Sequence, residues 1–319
     1  MRAITHISCI GAGLIGQGWA TQFSANGYDL MLCDRDETTL DKAMMNIHSN
    51  LMFLERHALL SNGDAAGALK KIKTTCNLAE AVAKADYVQE AVFDTYDAKK
   101  QIFKELDTMA PKTAILASSS SGLLMTEIQR AAAAPERCLL AHPYLPVHLM
   151  PLVEIVGGRQ TAPAALDATC DLMHKVGKIP VRLQKEVPGY IVNRLQSAVL
   201  REAIDLVDNG VASAEAVDQA FRLSLGLRGP LLGPLLRAHL AGDGIENFFE
   251  NYSESYHIRW ESMATWNTVS PGAAAASIKS IKEMEMVRTK SLPEIKKWRD
   301  EMLVKILRAV HDDAKHPQC

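Results

Sequence analysis

The chain has 319 residues, 48% hydrophobic and 23% charged, with a net charge of −2. That make-up suits a globular protein of about two domains with sizeable buried cores. The charge balance excludes the basic field that nucleic acid or an anionic membrane surface requires, and no apolar run approaches the ~18 residues of a membrane helix.

The first residues hold no charged-then-apolar leader, so secretion is not expected. The six cysteines, Cys9, Cys33, Cys76, Cys138, Cys170 and Cys319, form no CxxC or Cys/His cluster. The expected setting is cytoplasmic and reduced, without a metal site.

Residues 3–10 read as a short apolar strand. A glycine-rich turn, a helix with Trp19 and Phe23 four apart, a stop at Asn26-Gly27 and a second strand at 28–33 complete a strand–helix–strand unit. A long helical stretch follows, with Met44, Ile47, Leu51 and Leu54 at helical spacing and Ser61-Asn62-Gly63 closing it. Further short strands are predicted at 87–92, 114–117, 138–141 and 152–156, most of them separated by helical segments. This alternation predicts an α/β domain with a mainly parallel, doubly wound sheet. After Lys185 the pattern turns helical. Pro188-Gly189 opens a helix to about Asn209-Gly210, with Val192, Leu195, Val199 and Leu206 on one stripe. The expected division is an α/β domain at 1–185 and an all-helical domain at 186–319.

Gly11-Ala12-Gly13-Leu14-Ile15-Gly16 is a GxGxxG pattern. It follows a predicted strand and opens a predicted helix, the context that makes it a dinucleotide fingerprint. Gly11 permits the tight turn, Gly13 lets backbone approach a pyrophosphate, and Gly16 lets helix and strand pack closely. Leu14 and Ile15 lie at the helix N-terminus, whose free N–H groups face the phosphates. Asp34, 18 residues after Gly16, can accept both adenosine ribose hydroxyls and would repel a 2′-phosphate. The expected cofactor is NAD rather than NADP, although Arg35 next door favours the other choice.

Three more patches carry chemistry: Ala117-Ser118-Ser119-Ser120-Ser121-Gly122-Leu123; Ala141-His142-Pro143-Tyr144-Leu145-Pro146 with Pro151-Leu152-Val153-Glu154; and Glu186-Val187-Pro188-Gly189-Tyr190-Ile191-Val192-Asn193-Arg194. Together with the fingerprint, in this order along nearly the whole chain, they resemble the L-3-hydroxyacyl-CoA dehydrogenase superfamily. Gln184-Lys185-Glu186-Val187-Pro188-Gly189 and Gly226-Leu227-Arg228 are closer to its lambda-crystallin/L-gulonate 3-dehydrogenase and L-carnitine dehydrogenase branch. The resemblance implies a Rossmann-type NAD domain followed by a helical substrate-binding and dimerisation domain, hence a homodimer.

It also implies roles. His142 would be the general acid/base, with Glu154 holding and polarising its imidazole. Ser121 would bind the reacting oxygen, and Asn193 would face substrate and histidine. Asp94 and Lys99 would form an acid–lysine pair near the nicotinamide ribose. The chemistry agrees: alcohol oxidation removes a hydroxyl proton as hydride leaves the same carbon, and a neutral imidazole oriented by a carboxylate suits that proton. Where the family has asparagine three residues after the histidine, this chain has Leu145; His148 could supply a polar contact instead.

Coenzyme A needs cationic partners, yet residues 41–69 hold Lys42 and Arg56 against Asp41, Glu55 and Asp64, a net charge of −1. Lys70, Lys71 and Lys73 follow directly and keep a thioester substrate open. Arg228 suits a free carboxylate, and Tyr252, Tyr256 and Trp260 sit at helical spacing for either packing or an ammonium cage. The reading is NAD-dependent oxidation of a small L-3-hydroxy acid, gulonate- or carnitine-like. The alternatives are a 3-hydroxyacyl-CoA dehydrogenase, or a crystallin-like NAD-binding protein with little catalysis.

Overall fold

A computed structural model describes residues 4–60 and 63–313. Ala3, Ser61, Asn62 and Cys319, each part of a reading above, lie outside them. The chain divides into two units, Met1–Arg194 and Leu195–Cys319.

In the first unit β1 (His6–Ile10), α1 (Leu14–Ala25) and β2 (Asp29–Cys33) form the expected strand–helix–strand unit. Next come α2 (Glu37–Arg56), α3 (Ala65–Lys70), β3 (Ile72–Thr75), α4 (Leu78–Val82) and β4 (Tyr87–Glu90). Then follow α5 (Tyr96–Met109), β5 (Ile115–Ser118), α6 (Met125–Gln129), β6 (Cys138–Pro143), β7 (Leu152–Gly157), α7 (Pro163–Lys175) and β8 (Ile179–Arg182). The strands make one sheet in the order β3-β2-β1-β4-β5-β6-β7-β8. Every pairing is parallel except β6 with β7. Strand order reverses between β1 and β4, the crevice where doubly wound sheets bind ligands.

The local causes are legible. Asp36, Asp64, Asn77 and Thr95 cap α2, α3, α4 and α5 by accepting a backbone N–H three residues on, and Pro163 opens α7 at a position that needs no donor. β4, β5 and β6 are buried along their whole length, as a sheet covered on both faces requires. On one face Trp19 stacks on Phe23 at 5.2 Å, and Phe23 meets Tyr87 edge-on. On the other, Val88, Phe103, Leu106, Leu116, Ile128 and Leu140 join one buried cluster.

Two strands escaped the sequence reading. β3 buries only Ile72 and carries Lys73, and β8 contains Pro180 and is largely exposed. Both are sheet edges, where alternation is weak and proline is tolerated.

The second unit is helical. α8 (Val192–Asp208) begins in the first unit and ends here; α9 (Ala214–Phe221), a π-helical turn at Arg222–Gly226, α10 (Pro234–Ala241), α11 (Ile245–Ser262), α12 (Pro271–Glu283), α13 (Glu285–Thr289) and α14 (Leu292–Asp313) follow. No residue of α8 is buried; Leu195 and Val199 of its apolar stripe are 52% and 44% exposed. The helix expected from Pro188-Gly189 starts at Val192 instead. Gly189 and Tyr190 take left-handed φ values of +77° and +51°, and that kink delays it. Among the described residues no helix is long and apolar enough to cross a membrane, and Cys9, Cys33, Cys76, Cys138 and Cys170 are free.

Candidate active site

His142 and Glu154 are register partners across the antiparallel β6–β7 ladder. Directly opposed residues point to the same sheet face with neighbouring Cβ atoms, so a 12-residue separation in sequence becomes side-chain contact. Nδ1 of His142 lies 3.0 Å from Oε2 of Glu154, and both side chains are buried. The other carboxylate oxygen accepts the backbone N–H groups of Ile191 and Val192, at 2.9 and 3.0 Å. Burial pushes the Glu154 carboxyl upward. Hydrogen bonds from His142, Tyr144, Val192 and Ile191 outweigh it and hold the group below the usual carboxylate range. The left-handed Gly189-Tyr190 turn is what aims those two N–H groups. A left-handed non-glycine residue costs about 1–3 kcal/mol. It is held by the buried Tyr190 ring, 5.3 Å from the imidazole, and by the phenol's 2.7 Å bond to the Leu123 carbonyl.

The loop joining His142 to Glu154 is fastened from below. Lys178 is buried and donates to the carbonyl oxygens of Val147 and, at 2.7 Å, Met150. Burial pushes its ammonium down to about 7. Val147 packs so tightly on α1 that a Cβ at Gly18 would meet it at 2.5 Å. Leu145 is half exposed.

Beside this pair, Ser121 donates its N–H and hydroxyl to Oδ2 of Asp94, at 3.0 and 2.8 Å. Asn193 Nδ2 donates to the Ser121 carbonyl at 2.8 Å. The structure thus joins Asp94, Ser121 and Asn193 in one polar chain. Burial raises the Asp94 carboxyl, but bonds from Ser120 and Ser121 and the charge of Lys99 bring it below its ordinary value. Lys99 is 3.9 Å from Asp94 and only 2.7 Å from Glu90. Its nearer partner is this wholly buried acid, which also accepts from Ser118 and the Val92 N–H.

The fingerprint loop fits a dinucleotide. Gly11 has φ +99°, and a Cβ there would lie 2.6 Å from the Ala91 carbonyl oxygen; at Gly16 it would lie 1.8 Å from that of Gly11. Neither position admits a side chain. At Gly13 a Cβ would meet nothing, so the backbone there stands open at the N-terminus of α1, where Leu14 and Ile15 begin the helix. A cavity of about 600 Å³ adjoins it, lined by Gly11, Gly13, Asp34, Arg35, Phe93 and Gln101 among others. Asp34 accepts the N–H groups of Ala12 and Arg35, at 2.6 and 2.7 Å, and lines the same cavity as the glycine loop.

Arg228 belongs to the second unit, where its guanidinium reaches Ser224 one turn back. The aromatic positions of α11 form a packed row. Phe248 lies 5.3 Å from Tyr252 and 5.4 Å from Tyr256, which lies 5.4 Å from Trp260. Arg259 covers the Tyr256 ring at 4.1 Å. Trp266 is tied to Asp205. Tyr144, Tyr190, Glu90 and Lys178 carried no role in the sequence reading. Tyr144 and Tyr190 stood inside quoted motifs, and Lys178 showed no pattern.

The sequence matches the family model described as 3-hydroxyacyl-CoA dehydrogenase, NAD binding domain, over residues 6–187, and that described as 3-hydroxyacyl-CoA dehydrogenase, C-terminal domain, over 189–273. It is 35% identical to L-carnitine dehydrogenase of Burkholderia mallei (strain ATCC 23344), over 97% of this chain and 96% of that one. It is 36% identical to the lambda-crystallin homolog of Mus musculus, over 93% of each. Among solved structures, 5-formyl-3-hydroxy-2-methylpyridine 4-carboxylic acid 5-dehydrogenase, an NAD+ dependent dismutase, superposes with a TM-score of 0.84 at 27% identity, covering 97% of this chain and 99% of that one.

Proposed function

The chain belongs to the 3-hydroxyacyl-CoA dehydrogenase family and is an NAD-dependent oxidoreductase; on that premise we propose that it oxidises the 3-hydroxyl of a small L-3-hydroxy acid to the 3-keto acid, with His142 as general acid/base. One observation carries the reading: the 3.0 Å contact between His142 Nδ1 and Glu154. It assigns Nδ1–H to the carboxylate and leaves Nε2 to take the hydroxyl proton. As the ring becomes an imidazolium, Glu154 stabilises the charge. Ser121 and Asn193 orient the reacting oxygen. NAD, when bound, supplies the hydride acceptor. Gly11, Gly13, Leu14, Ile15 and Gly16 would hold its pyrophosphate, Asp34 its adenosine ribose, and Asp94 with Lys99 would lie toward its nicotinamide end.

The acidic balance of 41–69 supports a free acid over a thioester. Of the lysines that follow, Lys71 is already paired with Asp29 at 3.3 Å. The exposed stripe of α8 supports a homodimer, and the free thiols support a reducing cytoplasm.

The likeness to a dehydrogenase of a formyl acid favours a second reading. A hydrated aldehyde carries a hydroxyl on the carbon that loses hydride, so the same base serves, and the half-exposed Leu145 would suit an aromatic ring.

The test follows NADH absorbance with L-carnitine, L-gulonate, L-3-hydroxybutyrate, L-3-hydroxybutyryl-CoA and an aromatic formyl acid. Turnover of a hydroxy acid is expected; turnover of the thioester or the aldehyde alone overturns the first reading. Asp34→Ala should raise the KM for NAD about tenfold or more, the scale of a lost hydrogen bond to a charged group, and open the enzyme to NADP. Unchanged cofactor preference in initial-rate measurements would remove Asp34 from the ribose site.

A further inference from the structure

Tyr144 lies two residues after His142, at the start of the loop. Its phenol donates to Oε2 of Glu154 at 2.5 Å, the same oxygen that takes His142 Nδ1. Its ring meets the imidazole edge-on, with centroids 4.7 Å apart. Oε1 is already filled by two backbone N–H groups, so the carboxylate keeps its place without the phenol. What the phenol changes is the charge on Oε2. A donor there favours the carboxylate and draws density away from its other partner.

We propose that Tyr144 is a positioning residue that divides Oε2 of Glu154 with His142 and so sets the pH at which the imidazole is free to accept a substrate proton. The inference rests on the reading of His142 as the base. Burial, then the bond to Glu154, push the Tyr144 phenol above its ordinary range, so it stays a donor throughout. The other ionisable groups around it are accounted for. Tyr190, across the imidazole, is committed to Leu123. Asp94 is shared by Ser121 and Lys99. Lys178 is turned to the carbonyls of the loop.

Tyr144→Phe keeps the ring and removes only the hydroxyl. With Oε2 left to His142 alone, the imidazolium gains stabilisation. In the full-length protein without substrate, the His142 ring resonances, assigned by their loss in His142→Ala, should titrate about 0.5–1 pH unit higher in Tyr144→Phe. In a Glu154→Gln background the same change should have no effect, because the phenol acts through the carboxylate. The acid limb of kcat/KM for oxidation should move by the same amount. A midpoint that stays put or falls in Tyr144→Phe, or a rise that persists in Glu154→Gln, overturns the proposal. Failure of the catalytic reading looks different: His142→Ala would keep its turnover while the Tyr144→Phe midpoint still moved.

Discussion

His142→Ala is expected to lower kcat/KM for the oxidation by about 10²–10⁴, the contribution of a positioned general base, while leaving NAD affinity within about twofold. The two effects separate because the imidazole belongs to the β6–β7 ladder and the fingerprint loop to β1 and α1. The variant retains Ser121, Asn193 and the glycine loop, so substrate and cofactor still bind and only the proton is stranded. Raising the pH, or adding imidazole as a soluble base, should recover part of the rate. Initial rates followed by NADH absorbance, with calorimetric titration of NAD, check both halves. A variant within about threefold of the parent would end the assignment.

Glu154→Gln should cost nearly as much activity, about 10²–10³ in kcat, with KM little changed. A carboxamide matches the carboxylate in shape but supplies no charge for the imidazolium, and it turns a donor toward one of its four former donors. Stability should change with a particular pH dependence. Four hydrogen bonds hold the folded Glu154 carboxyl below its ordinary value despite burial. The unfolded chain therefore binds this proton more readily than the folded one. The stabilisation is complete above the unfolded pKa of about 4.3 and is lost as pH falls through the lower, folded value. Wild type should exceed Glu154→Gln by roughly 1–3 kcal/mol at neutral pH, and the gap should close progressively below about pH 4. Urea denaturation at both pH values measures it; a gap independent of pH would show that the charge contributes nothing to folding.

Much of the first unit was legible because its signals are local. The fingerprint and the short, mostly apolar strands each announce their state within a few residues. β3 and β8 did not, since an edge strand needs few buried side chains and tolerates lysine or proline. The site divides the same way. His142 and Glu154 stood in recognisable motifs, but their contact depends on two strands running antiparallel in a sheet that is otherwise parallel in its pairings. No spacing rule states that reversal. Glu90 lies at the end of a buried strand and reads as an ordinary strand residue until Lys99 is seen to reach it from α5. Tyr144 and Tyr190 stood inside the motifs without an assigned role. Their roles come from a shared carboxylate oxygen and a left-handed backbone, and both are properties of the folded chain alone.

The antiparallel ladder has a consequence for how this site can diversify. The His142–Glu154 pair is fixed by strand register, while the segment between its members is a loop. The exposed Leu145 can therefore be exchanged with His142 and Glu154 still opposed, whereas the buried Val147 and Leu149 and the carbonyls held by Lys178 fix the rest of the loop. A one-residue insertion inside β6 or β7 would instead turn one partner to the opposite sheet face. Substitution at Leu145 is the route by which one site could be offered new substrates, and the anchored residues after it, with the strands on either side, are where such change must stop.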